Sequence, residues 1–417
     1  MKQLLSQYGG LKREIYILFI GRLVTAMGSF VWPMLTFFLT TKLGLTDSMS
    51  TLMIATASVL SFPAALLGGK LADRFPRKSI IILFDCLTVS FYLLAAILPL
   101  TVGTAVILFM AGLFQAIESP AYDALNSDYS TTKQREKAYS LSYLGFNLGF
   151  ILGASLSGIL FENYLRLAFC FNGLAIFVST ILIFFFVHPK NAISEDKEAL
   201  LENYSEYELP VDEKISVTSI LRQRPVLVGM LLISCIASMP SNLVGILLPL
   251  QLKDAMGEGG ATIYGYLNSL NGFVVIAFTP VLTIALKKLT EIPKTILGLL
   301  LFIAGIAFFR AGSVVSVLFI GMFVFTLGEV VTVLGSNPYL SRRIPASHRG
   351  RIGGIASVTH SLFSSLTQYL ISGILFLSGS NYPLIWMVFM GCGLVASALY
   401  AFMYAPDKRT FPKLYER

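Results

Sequence analysis

The sequence predicts an all-α integral membrane protein with twelve membrane-spanning helices in two six-helix, pseudo-symmetric halves. Three observations predict it. Of 417 residues, 55% are hydrophobic and only 13% are charged, whereas a soluble domain holds about 25% charged residues. The apolar residues gather into twelve segments long enough to cross a bilayer, which takes about 20 residues. They run roughly over 15–40, 50–69, 79–101, 104–127, 138–162, 166–187, 226–250, 261–286, 294–311, 314–338, 352–377 and 383–404. Between Pro189 and Arg224 the hydrophobicity collapses, with six segments on either side. Residues 1–188 are therefore read as the first half, 189–224 as a linker and 225–417 as the second half.

Charge orients the chain. Of 31 Lys and Arg residues, Lys42, Arg166, Lys253 and Arg310 lie in loops on one side, Arg22 lies within a span, and the other 26 share the opposite side. So steep a bias puts both termini in the cytoplasm of a multi-pass protein of the cell (inner or plasma) membrane. It also accounts for the net charge of +8 without any nucleic-acid partner, because the bases sit between apolar spans. The first apolar run is too long for a cleavable signal and has no cleavage site. Cys86, Cys170, Cys235 and Cys392 all fall inside apolar segments at unrelated spacings, so neither a disulfide framework nor a metal site is implied. No nucleotide motif occurs, and no cofactor is expected.

Charged side chains inside spans are costly and mark function. Span 1 carries Arg22, span 3 Asp85, and span 4 Glu118 and Asp123. Arg22 and Glu118 lie at similar depth, so an Arg22–Glu118 or Arg22–Asp85 ion pair is expected. Alternatively, Arg22 competes with a proton or substrate for the carboxylate. Asp123 cannot share a face squarely with Glu118, because five residues turn a helix by about 500°.

Between spans 2 and 3 stands a short turn with an acid among four bases, Gly68-Gly69-Lys70-Leu71-Ala72-Asp73-Arg74-Phe75-Pro76-Arg77-Lys78. It resembles the loop signature G-x-L-a-D-r-x-G-R-R/K of the major facilitator superfamily. Gly69, Leu71, Ala72, Asp73, Arg74, Arg77 and Lys78 fit, while Pro76 replaces the usual glycine. The resemblance implies that Gly69, Asp73, Arg74 and Arg77 form a cytoplasmic gate. It further implies that Asp73 docks against span 11, and that Asp128 closes span 4 and pairs with the turn's arginine.

Span 5 bears Gly145, Gly149 and Gly153 in a stripe suited to close helix packing. It also resembles an antiporter signature whose proline is here Ala154. Many drug antiporters carry an arginine in the first half of span 4, where this chain has Gly112. The linker crowds Glu195, Asp196, Glu198, Glu202, Glu206, Glu208, Asp212 and Glu213 and reads as a solvated tether.

The second half repeats the first in degenerate form. Phe278-Thr279-Pro280 answers Phe62-Pro63, and Ile292-Pro293-Lys294 answers Phe75-Pro76-Arg77, but Thr290 stands in place of Asp73. Parallel repeats of this kind place a substrate site between the halves, near mid-membrane. In span 10 Glu329 follows Gly328 about 15 residues in, over 20 Å from the outer surface at about 1.5 Å per residue. No base lies near it in sequence, which makes it the leading proton-coupling candidate, with Glu118 and Asp128 behind it. Drug/proton antiporters with a Gly-Glu pair on this helix use that acid for coupling, so the resemblance points to that branch. Trp32, Phe37, Phe114, Asn242, Asn268, Asn271, Phe325 and His360 are expected to line the cavity with Glu329. Aromatics and one buried acid suit an amphiphilic or cationic guest.

The expected activity is that of an ion-driven carrier and not an enzyme. It would be a monomer among membrane lipids that exports lipophilic or cationic drugs in exchange for protons by alternating access. Proton-driven uptake of a peptide or other nutrient and lipid flipping are the alternatives. A non-transporting receptor fits less well.

Overall fold

The computed structural model describes residues 9–130, 132–188, 217–257, 259–312, 314–344 and 349–415. Most of the acidic linker therefore lies outside the described residues. Every described element is helical, and twelve helices are long and apolar enough to span a membrane. They are Arg13–Lys42, Asp47–Arg74, Arg77–Ile97, Val102–Asp128, Lys137–Asn163, Leu165–Phe186, Pro225–Met256, Gly259–Ala285, Glu291–Arg310, Val315–Ser336, Ile352–Ser378 and Tyr382–Thr410, numbered here as spans 1 to 12. Away from its ends such a helix bonds its backbone polar groups inside the element, which is what a hydrocarbon surround requires.

Two compact units emerge. The first comprises Met1–Thr46, Thr56–Leu200 and Leu252–Phe273; the second comprises Asp47–Ala55, Leu201–Gln251 and Val274–Arg417. Span 2 thus gives its first residues to the second unit, and span 8 gives its first half to the first unit.

The first unit is held by close backbone approach. Span 1 is not one regular helix: an α-helix to Met27 is followed by Val31–Phe37 and then a π turn, Phe38–Lys42. Its first part lies against span 5, where a Cβ on Gly149 would meet Leu23 O at 2.2 Å and one on Gly153 would meet Ala26 O at 2.8 Å. The glycine stripe is therefore a packing surface. On span 8, Thr262 donates through N and Oγ1 to Glu162 Oε1 at 3.1 and 2.7 Å, beside Gly158, whose Cβ would lie 2.4 Å from Thr262 Cα. The core around Ile15, Leu18, Ile81, Ala121, Leu125 and Ile183 joins spans 1, 3, 4 and 6.

The second unit has its own buried polar pins. Gln251 Nε2 donates to Phe309 O at 3.0 Å and its Oε1 accepts from Trp386 Nε1 at 2.7 Å, tying spans 7, 9 and 12. Ser372 Oγ donates to Ser48 O at 2.8 Å. Asp47 Oδ2 accepts from Ser380 Oγ at 3.0 Å and from the Tyr382 hydroxyl at 2.8 Å. Spans 9 and 10 touch through Gly298 and Gly328, where a Cβ on Gly328 would sit 2.7 Å from Gly298 O.

Candidate functional site

In the first unit, spans 1, 3 and 4 gather three acids around one base. Arg22 Nη2 pairs with Asp123 Oδ1 at 3.8 Å, and its guanidinium lies 4.8 Å from the centre of the Tyr122 ring. The Tyr122 hydroxyl donates to Leu18 O at 2.6 Å and so fixes that ring against span 1. Asp85 Oδ2 accepts from Thr180 Oγ1 at 2.7 Å. Glu118 is only 7% exposed, within the fields of Asp85, Arg22 and Asp123. The ion pair of Arg22 is thus made with Asp123, nearer the helix end, and not with Glu118 or Asp85. A partly wet partner costs less to charge than a buried one, and the Asp123 side chain is 53% exposed.

Span 2 continues as helix through the charged stretch to Arg74, and its last turn presents Asp73 and Arg74 to the exterior. Arg77, at the first position of span 3, makes the ion pair with Asp128 and donates to Ala124 O at 3.0 Å. The resemblance assigned the Asp128 partner to the turn's arginine, and the structure gives that role to Arg77. Spans 3 and 4 pack side by side, so a side chain in the first turn of one reaches the last turn of the other. Lys78 Nζ caps span 6 by donating to Phe184 O and Val187 O at 2.6 and 2.8 Å. Gly68 presses on span 4, where its Cβ would lie 2.1 Å from Ile117 O; Gly69 faces open space.

Glu329 lies in the second unit on the wall of a cavity of about 580 Å³. Span 7 supplies Ser234, Ser238 and Ser241; span 9 Thr295 and Phe302; span 10 Glu329, Thr332 and Ser336, and its helical continuation Tyr339; span 11 Ser357, His360 and Ser361; span 12 Tyr400. Residues 329, 332 and 336 recur at helical spacing, as do 234, 238 and 241, so each helix turns one polar stripe inward. Glu329 is the sole acid among the lining residues, and neither Lys nor Arg is among them. The serine stripe was legible in the sequence as small polar residues at positions i, i+4 and i+7 of an otherwise apolar span.

Of the residues expected around Glu329, His360 joins it in this cavity. Phe37 is wholly buried in the first unit against Phe161 and Tyr264. Phe114 packs on Phe84 and Phe91. The Trp32 indole covers Gly112, filling the space any side chain there would occupy, since Cζ2 lies 2.3 Å from the Cβ position. Asn268 Nδ2 donates to Tyr264 O at 3.0 Å, and Asn271 is half-buried one turn further along span 8. In the second unit, Phe325 stacks among Phe302 and Phe309, and Asn242 Nδ2 is buried without a hydrogen-bond partner among the described residues.

Below the cavity lies a buried ionic network that sequence reasoning missed. Arg343 donates through Nη2 to Asp407 Oδ2 at 2.7 Å, through Nε to Oδ1 at 3.0 Å, and through Nη1 to Glu291 Oε2 at 3.5 Å. Arg342 also pairs with Glu291. The Tyr339 hydroxyl donates to Asp407 Oδ1 at 2.6 Å, and that of Tyr415 also donates to Asp407. Arg224 Nη1 donates to Arg343 O at 2.8 Å. Burial alone would lower the pKa of Arg343, but the hydrogen bonds and charge of Asp407 outweigh it and hold the guanidinium above its ordinary value. These residues stand at helix ends, where a base reads as a topology signal and nothing more. Among the described residues, no group of three or more His, Cys, Asp and Glu could hold a metal ion.

The sequence matches the Major Facilitator Superfamily over residues 18–368. It is 23% identical over 361 residues to a Na(+), Li(+), K(+)/H(+) antiporter of Planococcus maritimus, covering 80% of this chain and 82% of that protein. Over 182 residues it is 28% identical to the quinolone resistance protein NorA of Staphylococcus aureus, covering 42% and 46% of the two chains. In fold it resembles a POT family transporter crystallised with 5-aminolevulinic acid, with a TM-score of 0.75, 14% identity and 97% of both chains covered.

Proposed function

Since the chain belongs to the major facilitator superfamily, a family of transporters and not of enzymes, we propose that it is a proton-coupled carrier exporting lipophilic cations, drugs among them, in exchange for protons. The observation that carries this reading is Glu329. It is the one carboxylate among the described residues of a lining otherwise made of hydroxyls, His360 and apolar groups, which includes neither Lys nor Arg. Such a carboxylate is neutralised either by a proton or by a cationic guest, and the two compete for it. Competition at a single acid is sufficient to couple two fluxes.

The cycle follows. With the cavity open outward, Glu329 takes a proton and the cation leaves. The carrier turns inward, the proton passes to the cytoplasm and a new cation binds. The two halves, 1–188 and 225–417, rock about the site. Gly69, Asp73, Arg74, Arg77 and Asp128 close the cytoplasmic side, and Asp128 is held for this by Arg77. Both termini and the linker face the cytoplasm. The names of the Planococcus antiporter and the staphylococcal resistance protein support cation exchange and drug efflux respectively.

A second reading is proton-driven uptake of a polar nutrient. It is favoured by the hydroxyl density of the lining, greater than the sequence led one to expect. The direction of proton movement separates the two. Proteoliposomes with an acidic lumen and an internal pH dye should show lumen alkalinisation when a lipophilic cation is added outside. No response to any cation, with acidification on co-import of a neutral solute or peptide, would replace export by uptake.

A further inference from the structure

Five of the cavity's hydroxyls are not equivalent to free alcohols. Ser234 Oγ donates to Leu231 O at 2.7 Å, Ser238 to Cys235 O at 2.8 Å and Ser241 to Ser238 O at 2.8 Å. On the facing span, Thr295 Oγ1 donates to Glu291 O at 3.0 Å. At the cavity's end the proton of Tyr339 is committed to Asp407. A hydroxyl has one proton and two lone pairs, and in an apolar setting a back-bonded proton is not lightly given up. Each of these five oxygens therefore offers the cavity lone pairs only. Glu329, when ionised, likewise only accepts.

From these five acceptor oxygens on the wall that also carries Glu329, we infer that the cavity selects protonated primary and secondary amines over quaternary ammonium or phosphonium cations of equal size and charge. The inference rests on the proposed cation-exporting function and names its substrate class. An N–H-bearing ammonium satisfies Glu329 by charge and the back-bonded oxygens by hydrogen bonds. A quaternary head has the charge but no hydrogen to donate, so it would strip water from the serine oxygens and return nothing. Such heads are normally held by several aromatic faces. Here the aromatic lining consists of Phe302, Tyr339 and Tyr400, and Tyr339 is tied down at its hydroxyl. Anionic guests find no Lys or Arg.

The test uses purified full-length protein in detergent and two probes, phenylpropylammonium and its N,N,N-trimethyl analogue, with affinities read by titration calorimetry. The primary amine should bind about ten-fold or more tightly, the worth of one or two charge-assisted hydrogen bonds. In the triple variant Ser234→Ala, Ser238→Ala, Ser241→Ala that ratio should fall toward one, because the primary amine loses its acceptors and the trimethyl probe no longer desolvates the serine oxygens. Equal binding of both probes by the native chain, abolished by Glu329→Gln, would overturn the amine selectivity and leave cation export standing. If neither probe binds, both readings fall. A ratio unchanged in a triple variant that unfolds at the native temperature would also overturn the inference, because the serine oxygens would then not be its source.

Discussion

Glu118 on span 4 and Glu329 on span 10 stand 211 residues apart in the chain, and their surroundings differ. Glu118 is shut in, 7% exposed, among Asp85, Asp123 and Arg22. Glu329 opens onto a cavity of about 580 Å³ whose described lining holds His360 but neither Lys nor Arg. The two units pack around their acids differently. In the first unit Trp32 closes over Gly112 and Arg22 bridges to span 4. In the second, serines on span 7 face span 10 and leave a space. An acid's place on a span therefore does not set its surroundings; the neighbouring helices decide whether it is closed in or opens onto a cavity.

The comparison can be strained at its edges. The largest stability effect is expected at the floor of the Glu329 cavity. Asp407→Asn leaves Arg343, wholly buried, short of its main partner and should cost about 3–5 kcal/mol, read as a drop in the thermal unfolding midpoint. A loss below about 1 kcal/mol would mean that the network does not hold the cavity's end. Next comes Arg22→Ala in the closed cluster. It strands three acids without their base, at a cost of about 2 kcal/mol, less than for a fully buried pair because Asp123 is half exposed. Adding Glu118→Gln to Arg22→Ala should recover much of that loss in the same assay. Failure to recover it would show that Glu118 does not feel Arg22. The smallest effect is expected for Tyr339→Phe, which removes one hydrogen bond to Asp407 and should cost about 1 kcal/mol; cation affinity, measured by calorimetry, should change only a few-fold.

Much of the fold could be read from the chain because a bilayer imposes length and polarity together. Span 4 was expected at 104–127 and runs Val102–Asp128; span 9 was expected at 294–311 and runs Glu291–Arg310. The errors lie where helices continue beyond their apolar stretch. Span 12 was expected to end near 404 but runs to Thr410, carrying Asp407 into the network with Arg343, a partner 64 residues away. Such pairing depends on which helix ends meet in space, and no local pattern encodes it. For the same reason Arg77 and not Arg74 holds Asp128, and Asp123 and not Glu118 holds Arg22. Most of the aromatics expected around Glu329 turned out to pack against other rings, because hydrophobic periodicity marks a buried face without saying what it faces. The hydroxyl stripes of spans 7 and 10 were present in the sequence at helical spacing, but only their convergence around Glu329 gives them meaning.

The most direct test sets the two acids side by side. Proteoliposomes carrying Glu329→Gln or Glu118→Gln, each first shown to unfold near the native temperature, would be assayed for cation-driven proton movement. The account predicts that Glu329→Gln abolishes coupling while Glu118→Gln retains most of it. Coupling that survives Glu329→Gln and is lost with Glu118→Gln would contradict the account and move the proton site into the first half.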